Sequence, residues 1–131
     1  MSLRVGIDLV CVDSVRDSLS SHAEHYLKRV YTEREVRDCE GPGGVAPERL
    51  AARFAAKEAA MKVLRPSSRD ALPWTSIEVL SDRDGLACLH LNGPAAELAE
   101  AAGVEGLQLS LTHEGLQACA VVIAELSDGC R

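Results

Sequence analysis

Aromatic side chains are scarce in this chain: one Trp, two Tyr and one Phe, 3% of 131 residues. A nucleic-acid binder usually offers stacking rings on a strongly basic surface. Here the formal net charge is −6, so that class is set aside. No run of 18 apolar residues occurs, and no transmembrane helix is expected. Asp8 interrupts the N-terminal stretch before a signal-peptide core could form, which leads to an expectation of a cytoplasmic protein. The five cysteines, Cys11, Cys39, Cys88, Cys119 and Cys130, form no C-x-x-C pair. An odd, scattered set argues against a disulfide scaffold or a cysteine zinc site, and for small buried hydrophobes in a reducing compartment, with Cys130 an exposed tail thiol. The chain also lacks a P-loop, a G-x-G-x-x-G turn and a G-x-S-x-G elbow, so Ser110-x-Thr112-His113 is not read as a hydrolase site.

What is present is a core of small aliphatic residues, 47% hydrophobic against 26% charged, in a length that suits one domain over 1–131. Charge is uneven. Through Asp70 there are 12 Lys/Arg against 11 Asp/Glu; beyond it there are 2 against 9. The basic side chains gather in the first half, which suits a small phosphorylated ligand or an acidic protein partner.

Leu3, Val5, Ile7 and Leu9 alternate with Arg4, Gly6 and Asp8, a strand pattern. Ser21-x-x-Glu24 and Thr32-x-x-Glu35 have capping-box spacing and predict two short helices. Gly41-Pro42-Gly43-Gly44 reads as a loop. Pro47 to Leu64 is the best helix, with Leu50, Phe54, Met61 and Leu64 on one stripe. Ile77 to Leu80 and Leu86 to Leu91 read as strands, Pro94 to Ala102 as a helix closed by Gly103. Leu107 to Thr112 and Leu116 to Leu126 complete a hairpin turned at His113-Glu114-Gly115. The order β-α-α-α-β-β-α-β-β makes the fold class α+β, a small mixed sheet with one long helix packed on it.

Four groups invite chemistry, each with a plainer alternative. Asp8 is either a strand-end acid capping a backbone group or a metal ligand or general base. Glu58 and Lys62 are one helical turn apart and could be a surface ion pair. Arg53 and Lys57 are like charges at the same spacing, which is unfavourable unless an anion lies between them. His113 is a turn histidine or a donor to phosphate.

Taken together these pieces resemble one family. Gly6-Ile7-Asp8-Leu9-Val10 opens the match, and Tyr26-Leu27-Lys28-Arg29-Val30-Tyr31-Thr32-Glu33-Arg34-Glu35 is similar to F-x-x-R-[IV]-[FL]-T-x-x-E. Leu50-Ala51-Ala52-Arg53-Phe54-Ala55-Ala56-Lys57-Glu58-Ala59-Ala60-Met61-Lys62 is the strongest segment, and Ser110-Leu111-Thr112-His113 closes it. The chain resembles the holo-(acyl-carrier-protein) synthases, the small class of 4′-phosphopantetheinyl transferases, from about Val5 to Glu125. The resemblance implies transfer of the 4′-phosphopantetheine arm of coenzyme A to a serine of an apo acyl carrier protein, releasing adenosine 3′,5′-bisphosphate. It implies Mg²⁺ held by Asp8 and Glu58, with Glu58 accepting the serine proton directly or through a water. Lys62 would steady the pyrophosphate, Lys57 would assist, and Arg53 and His113 would hold the 3′-phosphate. It implies a homotrimer with sites between protomers and an acidic carrier protein docked at Arg16, Tyr26, Lys28 and Arg29. After the long helix the family commonly has a glycine-rich turn, where this chain has Leu64-Arg65-Pro66-Ser67-Ser68. The alternative from another class is a catalytically inactive coenzyme A or nucleotide-phosphate binding module of the same fold.

Overall fold

A computed structural model describes residues 1–127; Cys130 lies outside them. The elements run β1 (Ser2–Cys11), α1 (Val12–Val30), α2 (Glu33–Asp38), β2 (Glu40–Gly41), β3 (Gly44–Val45), α3 (Pro47–Leu64), a 3₁₀ turn (Trp74–Ser76), β4 (Ile77–Ser81), β5 (Ala87–Leu91), α4 (Gly93–Ala102), β6 (Val104–Glu114) and β7 (Gln117–Leu126). The expected α+β class is what the chain adopts. Its strands divide into a three-stranded sheet, β1-β7-β6, and two hairpins, β2-β3 and β4-β5, with every described ladder antiparallel.

α3 lies across the three-stranded sheet, and both surfaces are made small where they meet. Ala51, Ala52, Ala55, Ala56, Ala59 and Ala60 are buried on the helix, and Ala118, Ala120 and Ala124 on β7. Gly6 on β1 goes further: a Cβ there would sit 2.1 Å from the carbonyl oxygen of Ala59. Only a hydrogen fits between this strand and this helix turn. Because β1 side chains alternate between faces, Arg4, Gly6 and Asp8 turn toward α3, and Arg4 Nη1 donates to Val63 O at 2.9 Å. Leu3, Val5, Ile7 and Leu9 therefore point away from the core, each more than half exposed. The strand pattern is met, and it is the apolar face that looks outward.

Thr32 caps α2 with the reciprocal box read from the sequence: Glu35 N–H donates to Thr32 Oγ1, and Thr32 N–H to Glu35 Oε1. The Ser21 box is corrected. No separate helix starts there: the segment belongs to α1, which is kinked at His22 (φ −147°, ψ 47°), and Glu24 pairs with Lys28 at 2.9 Å instead. The Gly41 to Gly44 loop is the tip of the β2-β3 hairpin. α3 ends at Arg65 in the left-handed region (φ 53°), a position that favours glycine. His113 is also corrected: β6 runs on to Glu114, pairing His113 with Ala118, and the turn falls at Gly115 and Leu116. Period two then sets His113 on the face of Leu109 and Leu111, toward α3, and not with Ser110 and Thr112.

Gly6→Ala should destabilise the protein by about 1–3 kcal/mol or more, because the added methyl meets backbone that cannot step aside. Urea unfolding would measure it; a variant as stable as the parent would contradict the close approach.

Candidate active site

The contact at Gly6 places two carboxyls together. Asp8 follows Gly6 on the same strand face, and Glu58 precedes Ala59 on the helix. The Asp8 side chain is only 13% exposed, and its Oδ2 is buried without a hydrogen-bond partner. Its Oδ1 accepts from Lys62 Nζ at 3.2 Å, and the same ammonium donates to Ile7 O at 2.7 Å. Lys62 thus reaches across to β1, and the surface ion pair with Glu58 suggested by the spacing is replaced by this bridge. Burial raises Glu58 to about 7, helped by a proton shared with Asp8 and by the Asp8 charge, and opposed by Lys62. Two carboxylates with one orphaned oxygen attract either a proton or a hard cation. The oxygen donor set fits Mg²⁺, which binds through one or two carboxylates and keeps its remaining positions for water and phosphate.

A second group lines a cleft of about 750 Å³ between the N-terminal half of α3, the β4-β5 hairpin and β6. Arg49, Arg53, Ser81, Ser110, Thr112 and His113 are among its lining residues. Arg53 is 5% exposed. Its Nε donates to Val79 O and its Nη2 to Ser81 Oγ, both at 3.2 Å, with Asp38 Oδ2 at 3.8 Å from Nη2. A guanidinium so fixed keeps little rotamer freedom to lose on meeting an anion. The exposed Arg49, one turn before Arg53, was not singled out in the sequence. The run of cations at 49, 53 and 57 was the available signal.

Lys57 is corrected. It is fully buried, and its ammonium donates to Glu35 Oε1 (2.8 Å), Trp74 O (3.0 Å) and Ile77 O (2.5 Å). All three protons are engaged inside the fold, so it has none left for a phosphate. Burial pulls its pKa down, and Glu35 and Glu78 oppose that.

Glu58 does not line the cleft. Five residues along a helix turn the side chain about 140° around the axis, so Arg53 and Glu58 serve different faces of α3. The docking candidates all lie on α1. Arg16 is held by Asp13 at 3.1 Å and lies 3.9 Å from Glu48, and Lys28 is held by Glu24. Arg29 is exposed. Tyr26 is half-buried, with its hydroxyl 2.8 Å from that of Tyr31.

The family model described as the 4′-phosphopantetheinyl transferase superfamily matches residues 4–121, and the chain belongs to that family. A holo-[acyl-carrier-protein] synthase of Solibacter usitatus is 39% identical over 125 residues, covering 95% of this chain and 99% of that one. The ACPS–CoA complex of Chronobacterium ammoniagenes superposes with a TM-score of 0.84 at 32% identity, covering 97% of this chain and 99% of that one. A Bacillus anthracis holo-(acyl-carrier-protein) synthase in complex with CoA has a TM-score of 0.71 at 26% identity, covering 94% and 96%.

The raised Glu58 has a sign that can be tested without ligand. The folded state keeps a proton on Glu58 up to about pH 7, whereas the unfolded chain loses it near the ordinary carboxyl value of 4.5. Between these values the native state binds more protons, so this group's contribution to stability falls as pH rises. Relative to Glu58→Gln, the wild type in chelator should lose stability from about pH 5 to about pH 8, modestly because the carboxyl is partly solvated. Parallel pH curves from urea unfolding would contradict the pairing with Asp8.

Proposed function

We propose that the protein transfers the 4′-phosphopantetheine arm of coenzyme A to a serine of an apo acyl carrier protein, releasing adenosine 3′,5′-bisphosphate. The observation that carries this reading is the buried, unpartnered Asp8 Oδ2 beside a Glu58 held near neutrality. In the reaction the serine oxygen bonds to the phosphorus that carries pantetheine. The P–O bond to the nucleotide phosphate breaks, and the serine proton goes to Glu58, directly or through a water. Mg²⁺ bound by Asp8 and Glu58 would neutralise charge on the pyrophosphate. Lys62, 55% exposed on its side chain and anchored to β1, presents a positive charge to the same pyrophosphate. Arg53 and His113 take the 3′-phosphate in the cleft, with Arg49 beside them. Positioning and charge do most of the work in such transfers.

The division of the site supports an assembly in which copies complete one another. The outward face of β1, with Leu3, Val5, Ile7 and Leu9 exposed, continues over Val121 and Ile123 of β7, cross-strand from Ile7 and Val5. An apolar surface of this kind marks an interface. We assign it to a homotrimer whose sites lie between protomers, joining one copy's carboxyl pair to a neighbour's cleft. The acidic carrier docks along α1 at Arg16, Tyr26, Lys28 and Arg29, where charge steers the encounter. We place the reaction in the cytoplasm, which suits the unpaired Cys11, Cys39, Cys88 and Cys119.

Three experiments test this. Intact-mass measurement of an apo carrier protein incubated with the enzyme, coenzyme A and Mg²⁺ should record one added arm. Glu58→Gln should remain folded yet lose about 10²-fold or more in kcat. Full turnover by that variant, or arm transfer unaffected by a chelator, would contradict the assigned chemistry. Arg53→Ala should raise KM for coenzyme A by about 10-fold or more, the scale of a hydrogen bond to a charged group. Dephospho-coenzyme A, which lacks the 3′-phosphate, should be far less affected; equal losses would move Arg53 to another phosphate.

A further inference from the structure

β4 is half a ladder. Its Cα partners on one side belong to β5, and its other edge pairs with no strand among the described residues. That edge is closed by four side chains in sequence. Lys57 Nζ donates to Ile77 O, Val79 N–H donates to Glu35 Oε2, Arg53 Nε donates to Val79 O, and Ser81 N–H donates to Asp38 Oδ2. Two come from α3 and two from α2, alternating in donor and acceptor as a neighbouring antiparallel strand would.

Two members of this row are a fully buried ion pair, Lys57 with Glu35. A buried pair is weak evidence for a stability role, since well-packed apolar residues often do as well. Here every part of it is directed. Lys57 satisfies two backbone carbonyls besides Glu35. Glu35 accepts from Lys57, from Thr32 N–H and from Val79 N–H. Val79 is thereby gripped through its N–H by Glu35, while its carbonyl holds Arg53. Arg53 Nη1 is left without a protein partner among the described residues.

We infer that Glu35 and Lys57 are positioning residues for Arg53, acting through the free edge of β4. This inference rests on Arg53 meeting the 3′-phosphate. The ion pair fixes where Val79 O and Ser81 lie, and those two atoms aim the guanidinium into the cleft. Neither Glu35 nor Lys57 touches ligand. The capping box Thr32-x-x-Glu35 thus has a second use: one carboxylate both starts α2 and locks the strand that orients an arginine on another helix.

The test is steady-state kinetics with coenzyme A and dephospho-coenzyme A on one carrier protein. It compares wild type, Arg53→Ala, Lys57→Met, Glu35→Gln/Lys57→Met and Arg53→Ala/Lys57→Met. Lys57→Met should raise KM for coenzyme A several-fold, leave kcat within about twofold and barely change dephospho-coenzyme A. Added to Arg53→Ala it should cost nothing further, because the effect travels through Arg53. The paired Glu35→Gln/Lys57→Met variant removes both buried charges and tests the same point should Lys57→Met alone fail to fold. Glu35→Gln alone, which keeps an acceptor for Val79 N–H, should weaken the preference for coenzyme A less. An unchanged preference, an equal loss for both substrates, or a further loss in the Arg53→Ala background would overturn the inference. If Arg53→Ala itself leaves the preference intact, the 3′-phosphate assignment falls, and that result is separate from the behaviour of the Lys57 variants.

Discussion

Almost everything functional in this chain hangs on how closely β1 approaches α3. Gly6 meets Ala59 O with no room for a methyl group. The alanines along α3 and β7 keep the same spacing over the rest of the interface. That spacing lets Lys62 reach the carbonyl of Ile7 and sets Asp8 against Glu58. A core built of larger side chains would bury more surface per residue, and it would hold strand and helix too far apart for the two carboxyls to interact. The scarcity of aromatics and the carboxyl pair are two results of one requirement.

A second constraint works at the other end of α3. Burying Lys57, Arg53, Glu35 and Glu78 would be prohibitive if any were unpaired. Each has a partner: Arg53 binds Val79 O and Ser81, Lys57 binds Glu35, and Glu78 accepts from Thr32 Oγ1 and lies 3.9 Å from Arg34. The result is a helix that buries Arg53 and Lys57 on one side and turns Glu58 and Lys62 to another, two surfaces on one rigid rod.

Much of this was legible in the sequence, for local reasons. The period-two pattern of β1, the capping box at Thr32 and the helix over Pro47–Leu64 are each written within a few residues, and each formed. The carboxyl pair was named from motif residues, and the structure adds why they meet. What failed was non-local. Lys57 looked like a free cation because its partner, Glu35, lies 22 residues earlier on another helix. The direction of β1 was misleading by ordinary rules, since apolar alternation normally faces the core. Here the face with glycine and charge turns inward. His113 was set in a turn because Gly115 follows it, yet the ladder with β7 carries the strand two residues past Thr112 and one beyond His113.

The central claim is that Asp8 and Glu58 form one site in which a proton and a divalent cation compete. Calorimetric titration of Mg²⁺ into the protein with coenzyme A, repeated in buffers of different ionisation enthalpy, reads that competition directly. Near pH 6, where Glu58 is still largely protonated, binding should release a proton, a fraction that approaches one per ion and fades by about pH 8.5. Asp8→Asn should abolish the proton release together with tight binding. Heats that do not depend on the buffer at about pH 6, or Mg²⁺ binding that survives in Asp8→Asn and Glu58→Gln alike, would contradict the account.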